Sequence, residues 1–175
     1  MPASNSFTNV LTRSPPDGHA SVAAQLPAEP QVAIPIWKIE WSEALSVGIP
    51  EIDEDHKRFA RLVNELNRSI VDRAELAEVR RRLQMIIDDA VQHFAHEEQL
   101  FKEWQYPDSQ SHAAIHVQII KKLQGIMSSN VSTHLNAPWI EAGLQIKTVL
   151  IEHILKEDAK YTHSYRNHHG PLPLS

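Results

Sequence analysis

Cysteine is missing from the chain altogether. Its absence excludes disulfides, thiolate metal sites, cysteine nucleophiles and covalent attachment of a c-type haem. It also fits a reducing compartment. Long apolar runs are missing too, since no segment approaches the roughly 18 uninterrupted apolar residues that a membrane helix needs. The first 16 residues lack a basic start followed by an apolar run, so no secretory signal is expected and the expected location is the cytoplasm. There is no excess of basic residues. With 17 Lys and Arg against 22 Asp and Glu, the net charge is -5, which leaves no footprint for nucleic acid or an anionic membrane surface. What remains is 42% hydrophobic and 22% charged, the make-up of one globular domain with a tail.

The tail comes first. Residues 1–36 hold six of the eleven prolines among Ser, Ala, Asn and Gln without period, so this stretch is expected to be a disordered arm. Its alternative role is as a docking segment for a protein partner. The composition changes at Trp37, and residues 37–165 are expected to form the folded domain, with residues 166–175 a flexible tail. Trp37 to Trp41 is an apolar lead-in, and Gly48 with Pro50 marks the edge of a first helix.

Hydrophobic periodicity predicts four helices. Ile52, His56, Phe59, Val63, Leu66 and Ile70 alternate spacings of four and three, predicting a helix over about 51–72. Val79, Leu83, Ile86, Ala90, His93, Glu97, Leu100 and Trp104 do the same over about 74–104. After the Tyr106-Pro107-Asp108 break, His112, His116, Ile119, Leu123 and Ile126 predict a third helix over about 109–128. The fourth, over about 139–164, has a less regular face of Ile140, Leu144, Leu150, Ile154, Asp158 and Tyr161, and the polar end beyond it is expected to fray. Four long helices with short links predict an all-α, antiparallel up-down-up-down four-helix bundle.

Several positions that this pattern reserves for the core carry polar side chains. Burying a polar group costs free energy unless it finds a partner. A single core histidine is usually just a satisfied one, but His56, His93, Glu97, His112 and His116 need a common explanation. Antiparallel topology supplies it. The start of the first helix lies level with the end of the second, the start of the third and the end of the fourth, which also brings in His153 and Asp158. His93/Glu97 and His112/His116 are four residues apart, so each pair shares one helix face. His153 and Asp158 are five apart, about 140° around an α-helix, and are not expected both to point straight inward.

Five imidazoles and two carboxylates without thiolate suit iron, manganese, copper or zinc. A structural zinc takes four ligands, whereas two metals sharing carboxylates use all seven. Glu-x-x-His, the mark of ferritin-like di-iron proteins, does not occur, and neither does the His-Glu-x-x-His of zinc hydrolases.

Gly48 to His56 (GIPEIDEDH), His93 to Glu98 (HFAHEE), Tyr106-Pro107 with His112 and His116, and His153-Ile154 with Asp158 and Tyr161 together resemble the hemerythrin family, bacterial hemerythrins in particular. The resemblance covers about residues 37–163. It implies two non-haem irons cycling between Fe2+ and Fe3+. One would be held by His112, His116 and His153 and the other by His56 and His93, bridged by Glu97, Asp158 and a hydroxide or oxide. It further implies reversible dioxygen binding rather than enzymatic turnover, in a pocket walled by Phe59, Phe94, Val149, Leu150 and Ile154. A common family pattern has Trp-Leu where this chain has Val149-Leu150, a smaller wall that would widen access.

Other readings of the same ligand set are a di-iron peroxidase or oxidase, a nitric-oxide scavenger, or an oxygen sensor with the proline-rich arm as output. The chain is expected to have no room for an attached signalling domain. A haem bundle leaves most of the ligands unexplained. His96 and Glu98 are expected at the surface or beside the ligands. Asp53 and Asp55 are read as favouring a helix start, Arg80 to Arg82 as solvated charge, and Trp41 and Trp104 as packing residues. His19, His134, His163, His168 and His169 are expected to be solvated.

Overall fold

A computed structural model describes residues 38–129 and 136–170. The proline-rich arm, Trp37, His19 and His134 lie outside the described residues. Among the described residues there are four helical rods: α1 (Pro50–Val71), α2 (Leu76–Glu103), α3 (Ser109–Ser129), and a fourth built of α4 (Asn136–His153), a π-helical turn (Ile154–Asp158) and α5 (Ala159–His169). The helix α1 packs on α2 and α4, and α3 also packs on α2 and α4, closing the four-helix bundle. No helix among the described residues is long and apolar enough to cross a membrane.

The periodic faces are the buried ones. Every position of the expected stripes on α1, α2 and α3 is buried, His56, His93, Glu97, His112 and His116 included. The fourth rod differs. Its buried face is Trp139, Ala142, Ile146, Leu150, His153 and Ile154, while the expected Ile140 and Leu144 are only half-buried. The π turn explains the shift. Stepping back from Asp158 by the α-helical period lands on Leu144 and Ile140, but a π turn closes its hydrogen bond one residue later. Everything N-terminal to it is therefore displaced by one position.

The rod also continues to His169, beyond the end at about residue 164 that the sequence predicts. Aromatic packing holds it. Trp104 meets Tyr165 at 5.2 Å, and the His169 ring stacks on Tyr165 at 4.5 Å. Gly170, at φ 84, then ends the helix, its N–H donating to the Arg166 carbonyl at 2.8 Å.

The lead-in is tied to α1 by side chains. The Asn64 amide pairs with both the N–H and the carbonyl of Ile39, at 2.7 and 2.8 Å. The Asp53 carboxylate accepts from Ser46 Oγ at 2.6 Å and from the Val47 N–H at 2.8 Å. Asp53 thus anchors a loop as well as opening a helix. Gly48, at φ 75, supplies the left-handed turn between the two ties.

The ends of α1 and α2 share one closing motif. The Ala74 N–H reaches back to the Ser69 carbonyl at 2.9 Å, and the Tyr106 N–H to the Phe101 carbonyl at 2.9 Å. Each motif puts a residue in the left-handed region, Arg73 at φ 53 and Gln105 at φ 54. Side chains there strain against their own backbone. Gln105→Gly is therefore expected to stabilise the fold by about 0.5–1 kcal/mol, the relief exceeding glycine's entropic cost. Thermal unfolding of the variant checks it, and a lowered Tm contradicts it.

Candidate metal centre

All seven residues singled out on the helix faces meet in one layer at one end of the bundle. His56 comes from the second turn of α1, His93 and Glu97 from the end of α2, His112 and His116 from the start of α3, and His153 and Asp158 from either end of the π turn. Each is at most 5% exposed, in a protein where such residues normally seek water. The expectation that His153 and Asp158 do not both point straight inward is corrected. The π turn brings residues five apart onto one face, and His153 Nε2 lies 3.0 Å from Asp158 Oδ1.

The seven sort into two overlapping groups whose ligand atoms lie within 4.8 Å of one another: Glu97, His112, His116, His153 and Asp158, and His56, His93, Glu97 and Asp158. The carboxylates belong to both, one oxygen to each. Glu97 Oε2 lies 3.1 Å from His116 Nε2 and 3.9 Å from His112 Nε2, while its Oε1 lies 3.6 Å from His93 Nε2. Asp158 Oδ1 faces His112 Nε2 at 3.2 Å as well as His153, while its Oδ2 faces His56 Nε2 at 3.2 Å.

These short approaches are not hydrogen bonds. All five Nε2 atoms, Glu97 Oε2 and both Asp158 oxygens are buried without a hydrogen-bond partner among the described residues. Each unsatisfied buried group costs about 1–3 kcal/mol. So many lone pairs directed into a shared space fit a cation that takes imidazole and carboxylate. Electrostatics agree. Burial opposes ionisation of Asp158, but His112, His153 and His56 outweigh it and hold the carboxyl well below the usual range.

Polar side chains behind His93, His116 and Glu97 fix the orientation of these three ligands. The His93 Nδ1 atom lies 3.1 Å from Asp55 Oδ2, and Asp55 is in turn gripped by Arg58 at 2.7 Å, itself paired with Asp89 at 2.5 Å. Burial works against the Asp55 charge, yet His93 and Arg58 keep its carboxyl below the usual range. His116 Nδ1 meets Glu98 Oε1 at 3.0 Å. Tyr161, fully buried, donates its hydroxyl to Glu97 Oε1 at 2.5 Å. Burial, reinforced by the nearby Glu97 and Asp158, pushes the phenol well above its ordinary value, so it stays a donor.

The role of Asp55 was not legible as more than a helix-start charge, because nothing in a linear sequence pairs it across helices with His93. Tyr161 carried a better signal, since a tyrosine on a buried face needs an acceptor. His96 lies at the rim, 3.5 Å from Asp55 and 3.6 Å from Glu51, and its side chain is 39% exposed. Arg81 and Arg82 are not merely solvated, for both pair with Glu78, and Arg82 also reaches Glu65 at 2.7 Å. Groups that orient a ligating histidine typically change metal affinity 10–100-fold when replaced. Asp55→Asn is accordingly expected to weaken metal binding by about 10-fold or more in a chelator competition. An unchanged affinity counts against the role.

The residues expected as pocket walls lie around the same layer. The Phe59 ring meets the His93 ring edge-on at 5.1 Å, and Phe94 stacks on His116 at 4.0 Å and meets His153 at 5.3 Å. Leu150 and Ile154 are buried beside His153 in sequence, and Val149 is half-buried. On the opposite side Phe101 packs on His112 at 4.9 Å. The polar layer is thus lined by aromatic rings on both sides.

A four-helix bundle with a buried histidine and carboxylate cluster at one end defines a metal-binding helical protein. Comparison with known proteins makes the class specific. The model of the hemerythrin HHE cation-binding domain matches residues 47–162, and the chain belongs to the hemerythrin family. Its relatives include a bacteriohemerythrin of Stenotrophomonas maltophilia, 33% identical over 47% of this chain and 54% of that protein. A myohemerythrin of Theromyzon tessulatum is 29% identical over 70% of this chain and 89% of its own length. A hemerythrin-like protein of Naegleria gruberi is 30% identical over 69% and 88%. The match thus spans about half of the Stenotrophomonas protein and most of the other two.

Proposed function

We propose that this chain binds dioxygen reversibly at a non-haem di-iron centre, as a protein of oxygen storage, delivery or buffering and not an enzyme. The observation that carries the reading is the sharing of the carboxylates, in which Glu97 and Asp158 each turn one oxygen to either histidine group. One iron would be held by His112, His116 and His153, the other by His56 and His93, with Glu97 and Asp158 common to both. The second set has one protein ligand fewer, which leaves a position for dioxygen on the His56 and His93 side. Bound ferrous ions supply the electrons for reversible uptake of the gas.

The side chains do the rest. The two carboxylates offset half of the four positive charges that a ferrous pair brings into an apolar bundle, which makes burial tolerable. Tyr161 and Asp55 keep Glu97 and His93 in place. Phe59, Phe94, Val149, Leu150 and Ile154 exclude water and offer no proton. Apolar walls favour binding over turnover, because peroxidase and oxidase chemistry needs a proton donor at the reacting atoms.

Anaerobic loading with ferrous iron followed by air tests the reading. About two irons per chain are expected from this ligand count. A visible band should form with oxygen and fade on degassing. A single tightly held zinc, or rapid consumption of peroxide or nitric oxide, overturns it.

A further inference from the structure

A groove runs along the bundle surface between α2 and α3, over Val91, Phe94, Ala95 and Glu98 on one side and His116, Val117, Ile120 and Gln124 on the other. Val91 and Val117, on neighbouring helices, are 49% and 50% exposed. Its floor is made by buried Phe94 and His116, whose rings stack at 4.0 Å. The groove therefore ends on a residue of the histidine cluster. Phe94 is also an expected wall of the dioxygen pocket, which makes it the one side chain shared by groove and pocket.

We propose that this groove is the site where dioxygen collects and from which it passes Phe94 to the buried centre. The inference rests on the reading of the chain as a dioxygen binder. An apolar diatomic gains by leaving water for an apolar surface. The seven steps from Val91 to Glu98 span only about 10 Å at 1.5 Å per residue. That is too short for the roughly 800 Å² per partner of a stable protein interface. Of the remaining polar lining, Lys121 and Gln124 are exposed, and Glu98 is engaged by His116. No bond is made or broken on this path. To reach the open position on the His56 and His93 side the gas has to pass the Phe94 ring, which stacks on His116 and also meets the His93 ring at 5.6 Å.

The substitution Val117→Trp, on an exposed helix position, lays an indole across the groove. A route differs from a binding contact in one respect: obstructing it slows entry and exit by the same factor and leaves the equilibrium unchanged. Stopped-flow oxygen uptake and release by the ferrous, iron-loaded chain should both fall at least 10-fold in V117W, with the dissociation constant within two-fold of wild type. Val71→Trp, at another exposed valine at the far end of α1, should leave both rates alone. Crystals of the ferric, iron-loaded protein under xenon pressure should show xenon against Val91, Val117 and Ile120, and none there in V117W. Unchanged rates in V117W, an altered dissociation constant, or xenon elsewhere overturns the route. A wild-type protein that loads iron but takes up no oxygen overturns the function instead, and the xenon result still judges the groove.

Discussion

Glu97→Ala is expected to lower iron from about two per chain to below one, a larger loss than from exchanging any one of the histidines, because this carboxylate serves both histidine groups. The geometry gives the reason. Glu97 offers Oε2 to His116 and His112 and Oε1 to His93, whereas each imidazole belongs to one group alone. Its removal also leaves the Tyr161 hydroxyl buried without its acceptor, at a further cost of about 1–3 kcal/mol. Glu97→Gln separates the two effects. The amide oxygen still accepts from Tyr161, so the fold persists, but the amide lacks the charge and the second anionic oxygen that two cations need. Metal analysis after anaerobic loading, with circular dichroism to confirm folding, decides the matter. Glu98→Ala, one residue on, should still load about two irons and lose affinity alone, since Glu98 only orients His116 through its far nitrogen. Two irons in a folded Glu97→Gln protein would mean that the carboxylate does not join the groups.

Much of this was legible from the chain because its signals were periodic. On α1, α2 and α3 the same three-and-four spacing that buries Leu83 and Ile119 also carries His93 and His116, so fold and cluster were read from one pattern. The antiparallel order then placed the fourth rod's His153 and Asp158 in the same layer. The register of that rod was not legible, because a π turn has no mark in composition. It displaced the buried face from Ile140 and Leu144 to Trp139 and Ile146, and it turned an i,i+5 pair inward that an α-helix would splay. The cross-helix ties of Asp55 and Tyr161 were hidden for another reason. They depend on which polar side chains meet once helices pack, and local sequence does not encode that.

Acid should empty the site, and the pH dependence should run in opposite directions with and without metal. In the metal-free protein burial favours neutral His93, yet the charge of Glu97, the hydrogen bond to Asp55 and the charge of Asp158 raise its pKa above the ordinary 6.5. A raised histidine contributes stability that is complete below the unfolded value and is lost as pH rises through the folded one. Asp158, held well below its ordinary 3.8, contributes stability that is present above that value and is lost only as pH falls through the depressed one. Both contributions are therefore present between about pH 4 and 6.5, and the His93 contribution is lost on the alkaline side. Metal binding has the reverse slope, because imidazoles must shed protons to ligate. The gap in Tm between iron-loaded and chelator-treated protein should thus widen steadily from pH 5.5 to pH 8, and at pH 4 the loaded protein should release its iron. Thermal unfolding of both forms across that range, with metal analysis after dialysis at each pH, measures it. A gap that stays constant, or full occupancy at pH 4, would mean that protons and metal do not compete for these imidazoles.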